Sequence, residues 1–139
     1  LGHFLASGRS MMVEVAPKRE GDVGGAPARV DGAMRVLEGF AFPPGFDHDA
    51  IPVLNTNTLW FSVAALEREI ALRWYLVTKQ HGREQVVQFE QLVGQASWSL
   101  PTEYVHVSRE RFLPVKEPED LMAIRPVLRR LFGVGLRVV

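Results

Sequence analysis

The sequence predicts an α/β domain in which a mixed sheet is flanked by helices. Two observations carry this. Short apolar runs of strand length, such as Met11 to Val15 and Trp74 to Thr78, recur along the 139 residues. Between them lie segments whose apolar residues return at three-to-four spacing, the period of a half-buried helix. Composition shows that such elements can be packed. Hydrophobic residues make up 47% of the chain, with no internal repeat, low-complexity tract or long linker.

Leu1 to Leu5 reads as the end of a helix already under way, and a chain opening on Leu1 reads as a piece of a longer protein. Met11 to Val15 is a buried strand. Pro17 to Ala26 mixes charge with Gly21, Gly24 and Gly25 and forms a loop. Arg29-Val30 and Met34 to Phe40 make two strands around a turn at Asp31-Gly32. Pro43, Pro44 and Gly45 break that run. Ile51 to Leu54 is a further strand, short because Pro52 sits inside it. Thr58 to Arg73 is the clearest helix, with Leu59, Val63, Leu66 and Ile70 on one stripe and Asn57 or Thr58 as its N-cap. Trp74 to Thr78 is a strand and Gly82 a turn. Val86 to Trp98 reads as a helix with Phe89, Leu92 and Val93 on one side. Tyr104 to Val107 is another short strand. Pro118 opens a helix through Ile124, which Pro126 ends or kinks, and a second short helix runs to Phe132. The domain is expected over 1–132, with an apolar tail over 133–139.

Bulk charge narrows the partners. Sixteen basic and 16 acidic residues give a formal net charge of +0, which argues against a nucleic acid or a membrane surface held by charge. The absence of cysteine excludes a disulfide scaffold and any thiolate metal site. It fits a cytoplasmic location. No apolar run approaches the length of a membrane span, and no signal peptide opens the chain.

Several polar residues stand where chemistry could use them. Asn55 and Asn57 are one residue apart, so on an extended strand both face the same side. Two amides there can donate to and accept from sugar hydroxyls or phosphate oxygens. They can equally form an Asx-turn and an N-cap. Lys116 follows Pro114, which stiffens the backbone. A lysine at a helix start opposes the helix dipole unless an anion lies nearby; otherwise it is a solvated surface residue. Arg111 reads as a surface ion pair with Glu110 or Glu117. Glu38 lies in an otherwise apolar segment, Met34 to Phe40, and either points to water or faces a cavity and accepts from hydroxyls. Glu90 is similar, between Phe89 and Leu92. His48, flanked by Asp47 and Asp49, has no second ligand at helical or hairpin spacing and reads as a loop charge cluster. There is no serine elbow and no Walker loop.

Taken in order, these residues resemble a known family. Met12-Val13-Glu14-Val15 with Lys18 looks like its strand and following loop, and Asp22 with Gly24-Gly25 like its Asp-x-Lys-Gly-Gly loop. Leu37-Glu38 resembles its Leu-Glu strand end. Leu54-Asn55-Thr56-Asn57 with Leu59-Trp60 is similar to Phe-Asn-Thr-Asn-Asn-Leu-Trp. Gln88-Phe89-Glu90 resembles a Gln-Leu-Glu helix start, and Arg111 to Lys116 matches Arg-Phe-Leu-Pro-Val-Lys in full. The family is the UTP–glucose-1-phosphate uridylyltransferases, or UDP-glucose pyrophosphorylases. The resemblance implies part of a Rossmann-like nucleotidyltransferase core, with UTP and glucose-1-phosphate as substrates and Mg²⁺ bridging phosphates. It implies Lys116 on phosphate charge, and Glu38, Asn55 and Asn57 on sugar hydroxyls. The family's loop lysine is missing from Asp22-Val23-Gly24-Gly25, Thr58 replaces its third asparagine and Leu54 its aromatic. Its nucleotide-binding half is expected before Leu1, so the chain alone is expected to be inactive. The alternative readings are an N-acetylhexosamine or broad-specificity UDP-sugar pyrophosphorylase, and a non-catalytic sugar-phosphate-binding or assembly fragment.

Overall fold

The computed structural model describes residues 1–22 and 24–133. The tail expected over 133–139 lies, apart from Gly133, outside them. A short helix α1 (Gly2–Ser7) ends at Gly8 and leads into strand β1 (Met11–Pro17). β1 pairs antiparallel with β4 (Val53–Phe61) and parallel with β7 (Thr102–His106), giving a mixed sheet in the order β4-β1-β7. Hairpins β2–β3 (Ala26–Val30, Ala33–Leu37) and β5–β6 (Trp74–His81, Glu84–Gln91) stand beside it. A helix of one turn, α2 (Val63–Leu66), and a terminal helix, α3 (Pro118–Phe132), complete the regular elements.

The central strand explains the core. β1 is buried from Met11 to Ala16, because it has a strand on each edge and packed residues on each face. Met11, Val13 and Val15 join Val36, Ala65, Ala96 and Leu100 in one cluster, with Leu59, Phe61 and Tyr104 packed around it. A second cluster, Ala26, Leu37 and Phe42, lies under the β2–β3 hairpin. That hairpin turns at Asp31-Gly32 as expected, with φ of 49° and 78°, both in the left-handed region that a two-residue turn of this hand requires.

Two expected helices are strands. The helix expected over Thr58 to Arg73 is replaced by β4, which runs on to Phe61 because Leu59, Trp60 and Phe61 pair with Val13, Met12 and Met11. Only Val63–Leu66 is helical, and its N-cap is Ser62, whose side chain accepts from the Ala65 amide; neither Asn57 nor Thr58 caps it. The apolar stripe was shared between two elements: Leu59 packs on the core, whereas Val63 and Leu66 are exposed. The helix expected over Val86 to Trp98 is β6 followed by a 3-10 turn at Val93–Trp98. Local pairing decides this, since His81 opposes Glu84 across a Gly82-Arg83 turn in which Gly82 has φ 61°. Gln88-Phe89-Glu90 therefore lies on a strand and not at a helix start.

The smaller differences have local causes. β3 stops at Leu37, leaving Glu38 extended (φ −79°, ψ 154°) at the head of a 3-10 turn, Gly39–Ala41. The strand expected at Ile51 begins after Pro52. Pro126 does not end α3, which continues to Phe132 without the amide that proline lacks, so no second helix forms. Among the described residues no helix is long and apolar enough to cross a membrane.

Candidate functional site

β1 and β4 do not pair evenly. Val13 opposes Leu59 and Val15 opposes Asn55, so Glu14 alone faces the span 56–58. The surplus forms a bulge, with Asn57 at φ 60°. Its two asparagines bond to each other. The Asn57 amide nitrogen donates to Asn55 Oδ1 at 3.0 Å, and Asn55 Nδ2 donates to Asn57 Oδ1 at 2.7 Å. The Thr56 hydroxyl donates to the Glu14 carbonyl at 2.9 Å. This is the Asx-turn that the spacing allowed, without the N-cap. Asn55 is buried, its backbone N–H donating to Gly25 O at 2.8 Å, while Asn57 is exposed. The turn thus spends Asn55 on holding Asn57 outward.

An open cleft of about 440 Å³ lies beside this bulge. Its walls are Gly21, Asp22, Gly24 and Gly25 of the first loop, Glu38, the segment Leu54 to Asn57, and Phe112, Pro114, Lys116 and Asp120. All of Glu38, Asn55, Asn57 and Lys116 line it, although they come from separate parts of the chain. The volume falls within the range usual for small-molecule sites, roughly 300–1,000 Å³.

Each wall has its own chemistry. Glu38 is half-buried, and burial, helped by the neighbouring Glu90 charge, pushes its carboxyl above the usual range. Glu90 itself accepts from Lys79 Nζ at 2.7 Å across the β5–β6 hairpin. Gly25 is where it is because Glu38 leaves no room: a Cβ on it would lie 2.9 Å from Glu38 Oε1 and 2.9 Å from Leu37 O. Lys116 is exposed and has no ion pair among the described residues. Its backbone N–H and that of Glu117 donate to Asp120 Oδ2 at 2.8 and 3.0 Å, which holds the Asp120 carboxyl below its ordinary value. The ammonium is left for the cleft.

Ion pairs that spacing did not reveal hold the walls. Arg111 pairs with Glu14, not with Glu110 or Glu117: its Nε donates to Oε2 at 2.7 Å and its Nη2 to Oε1 at 3.1 Å. Trp60 Nε1 adds a third bond to Oε1 at 3.0 Å. Together, Arg111 foremost, they hold the buried Glu14 carboxyl below its usual range. Glu110 instead accepts from Arg130. Arg109 grips Asp22 through Nη2, at 3.0 and 3.2 Å to its two oxygens. One signal was available for Glu14: it is the lone charge in the apolar run Met11 to Ala16.

Two of the three cleft carboxylates are therefore engaged, Asp22 by Arg109 and Asp120 by two amides; Glu38 is the third. No group of three potential ligands suited to a metal occurs among the described residues. They offer no cage of protein ligands to the Mg²⁺ that the resemblance implies, an ion that protein usually holds through one or two carboxylates and substrate phosphates. The Asp47–Asp49 loop is a self-bonded turn, with Asp47 Oδ1 accepting from the Asp49 amide and the His48 ring set edge-on to Phe42 and Phe46.

The sequence profile of the family described as UTP--glucose-1-phosphate uridylyltransferase matches residues 1–132. The chain belongs to this family. Among uridylyltransferases of that name, it is 31% identical to that of Saccharomyces cerevisiae over 99% of its own length, and 29% identical to that of Solanum tuberosum over 97%. It spans 31% of the length of each, so its uridylyltransferase likeness concerns about a third of such a protein. The crystal structure of a UDP-glucose phosphorylase from Trypanosoma brucei superposes with a TM-score of 0.75 at 27% identity, covering 89% of this chain and 32% of that one. A UDP-glucose pyrophosphorylase from Leishmania major, solved in complex with UDP-glucose, shares the fold, with a TM-score of 0.68 at 20% identity over 88% of this chain and 32% of its own.

Proposed function

We propose that this chain forms the sugar-phosphate side of a uridylyltransferase that makes UDP-glucose and pyrophosphate from UTP and glucose-1-phosphate. A phosphate oxygen of the sugar phosphate forms the new bond to the α-phosphorus of UTP. The bond from that phosphorus to the bridging oxygen breaks, and pyrophosphate leaves with the electron pair. Such chemistry is mostly alignment and charge stabilisation. Lys116 supplies a cation for the phosphate charge that builds up. Asn57, held outward by Asn55, donates to and accepts from sugar hydroxyls, and Glu38 accepts from them.

The observation that carries this reading is the convergence of Glu38, Asn55, Asn57 and Lys116 on one cleft. A strand end, a bulge and a stiff turn offer a carboxylate, the outward Asn57 amide and an ammonium to a ligand that is polyol at one end and phosphate at the other. The core is a partial Rossmann-like nucleotidyltransferase unit over 1–132, working in the cytoplasm. Mg²⁺, if bound, would neutralise phosphate charge; among the described residues Glu38 is the cleft carboxylate that no cation or amide already holds. The 139 residues by themselves bind sugar phosphate without turnover. A non-catalytic sugar-phosphate-binding role is the second reading, favoured by the absence of lysine between Asp22 and Gly24-Gly25.

The test is turnover in the intact enzyme that carries this segment, with UTP, glucose-1-phosphate and Mg²⁺. Lys116→Ala is expected to lower kcat by roughly 10²–10³, the usual loss for one preorganised charge-stabilising group, with folding retained. Unchanged kcat would remove Lys116 from the chemistry. No turnover by the intact wild-type protein, with glucose-1-phosphate still bound, would leave the non-catalytic reading.

A further inference from the structure

Glu14 lies behind the cleft and bonds to both segments that supply its walls. Its backbone carbonyl accepts from Thr56 inside the bulge, and its carboxylate accepts from Trp60 on β4 and from Arg111 beyond the last strand. The glutamate side chain is 5% exposed and the arginine side chain 58%, so the guanidinium covers a carboxylate that lies in the core. Two residues earlier, Arg109 performs a matching task. Its Nη2 binds Asp22 of the first loop, and its Nη1 donates to Phe112 O at 2.7 Å. Phe112, Pro114 and Lys116 follow at once and line the cleft.

The span 112–116 has no helix or strand of its own. It is fixed at both ends instead. Arg109 and Arg111 anchor the near end to Asp22 and Glu14, and the Asp120 carboxylate holds the Lys116 and Glu117 amides at the far end. A lysine side chain is long and mobile, and a charge that stabilises a transition state must be placed to within a fraction of an ångström. Something must fix its backbone.

We infer that Glu14, Arg109 and Arg111 form a brace that sets the position of Lys116 relative to the Asn55–Asn57 bulge, and that they are positioning residues for the reaction, acting without touching substrate. The inference rests on the function proposed above. Its physical content is a coupling: the glutamate that shapes the bulge through its carbonyl also locates the segment carrying the cation through its side chain, while Arg109 ties that segment to Asp22 of the first loop.

Two measurements test it, one independent of activity. In the intact enzyme, backbone amide exchange is followed at Phe112 and Lys116, whose N–H groups donate to Arg109 O and Asp120 Oδ2, in Glu14→Gln, Arg111→Gln and the double variant. The brace predicts exchange about tenfold faster in each single variant and no faster in the double, because both remove the same link. Unchanged exchange in either single variant would overturn it. Kinetics then ask what the link is for. Arg111→Gln should lower kcat about ten- to hundredfold, with KM for glucose-1-phosphate changed by less than about twofold, and should have no further effect once Lys116 is alanine. Additive losses in the Lys116→Ala background would show that Arg111 does not act through the lysine and would overturn the positioning role. If Arg111→Gln does not fold, Arg111→Lys, which keeps the cation and loses the two-point contact, carries the same comparison with a smaller expected effect. Absence of turnover in the wild type would sink the proposed function, while the exchange measurement still decides whether the brace exists.

Discussion

The β1–β4 pair and the β5–β6 hairpin are both antiparallel ladders, built in opposite ways. β1 is buried from Met11 to Ala16, and its partner is about forty residues away, across a bulge. β5 and β6 are neighbours joined by a tight turn, with an unbroken ladder from Trp74↔Gln91 to His81↔Glu84. Trp74, Leu76, Val87 and Phe89 nevertheless stay exposed on its outer face. Apolar residues alone therefore do not say where the core is. The long-range pair is held by burial, and its irregularity makes the cleft. The local pair is held by its own hydrogen bonds and turn, and stays regular because nothing distorts it.

Substitutions can break this contrast. The largest effect is expected from Met11→Ala, which empties a site of 0% exposure and should cost roughly 2–5 kcal/mol in urea unfolding. Leu76→Ala, at 70% exposure, should change stability by less than about 0.5 kcal/mol. Equal losses at the two positions would mean that the hairpin face is covered in solution.

Gly25→Ala comes next. The new methyl meets Glu38 Oε1 and Leu37 O at 2.9 Å, and overpacking against backbone typically costs about 1–3 kcal/mol. It should also weaken glucose-1-phosphate binding by titration, since Glu38 must move. Gly82→Ala at the hairpin turn meets nothing within 4 Å and carries only the strain of φ 61°, about 1–2 kcal/mol, with binding unchanged. Gly82→Ala weakening binding as much as Gly25→Ala would break the separation of the two regions.

The smallest effects are in pH dependence. Glu14 has its carboxyl held low in the folded state, so its stabilisation is complete above the unfolded value and is lost as pH falls through the folded one. Glu14→Gln should flatten the acid limb of a thermal-melt profile. Glu38 has the opposite sign. Its carboxyl is raised by burial, so the folded state holds its proton longer and stability declines as pH rises through that window. Glu38→Gln should raise the melting temperature slightly at neutral pH while weakening sugar binding, the trade expected of a residue kept for function. A lower melting temperature at neutral pH would show that the carboxylate is structural.

Legibility followed the range of the interaction. The turn at Asp31-Gly32 was readable because it is written in adjacent residues that tolerate positive φ. Phe61 was not readable as strand, because what makes it one is Met11, far away in sequence. The same holds in the cleft. Glu38, Asn55, Asn57 and Lys116 could be selected by residue type and by their likeness to the family. For Arg111 the chain neighbours Glu110 and Glu117 stand nearest in sequence, whereas its partner is Glu14 on the central strand.

By itself the sequence determined a mixed α/β chain, most of its strands and turns, and a set of residues suited to a sugar phosphate. Those properties are local: the conformations that residue types prefer and the bonds their side chains can make. Only the tertiary structure decided that Thr58 to Phe61 and Glu84 to Gln91 are strands, that the Asn55–Asn57 segment bulges, and that Glu14 ties it to the turn carrying Lys116. Each depends on a partner brought near by folding. A buried charge takes whichever counter-charge the packed chain delivers, not the one nearest in sequence.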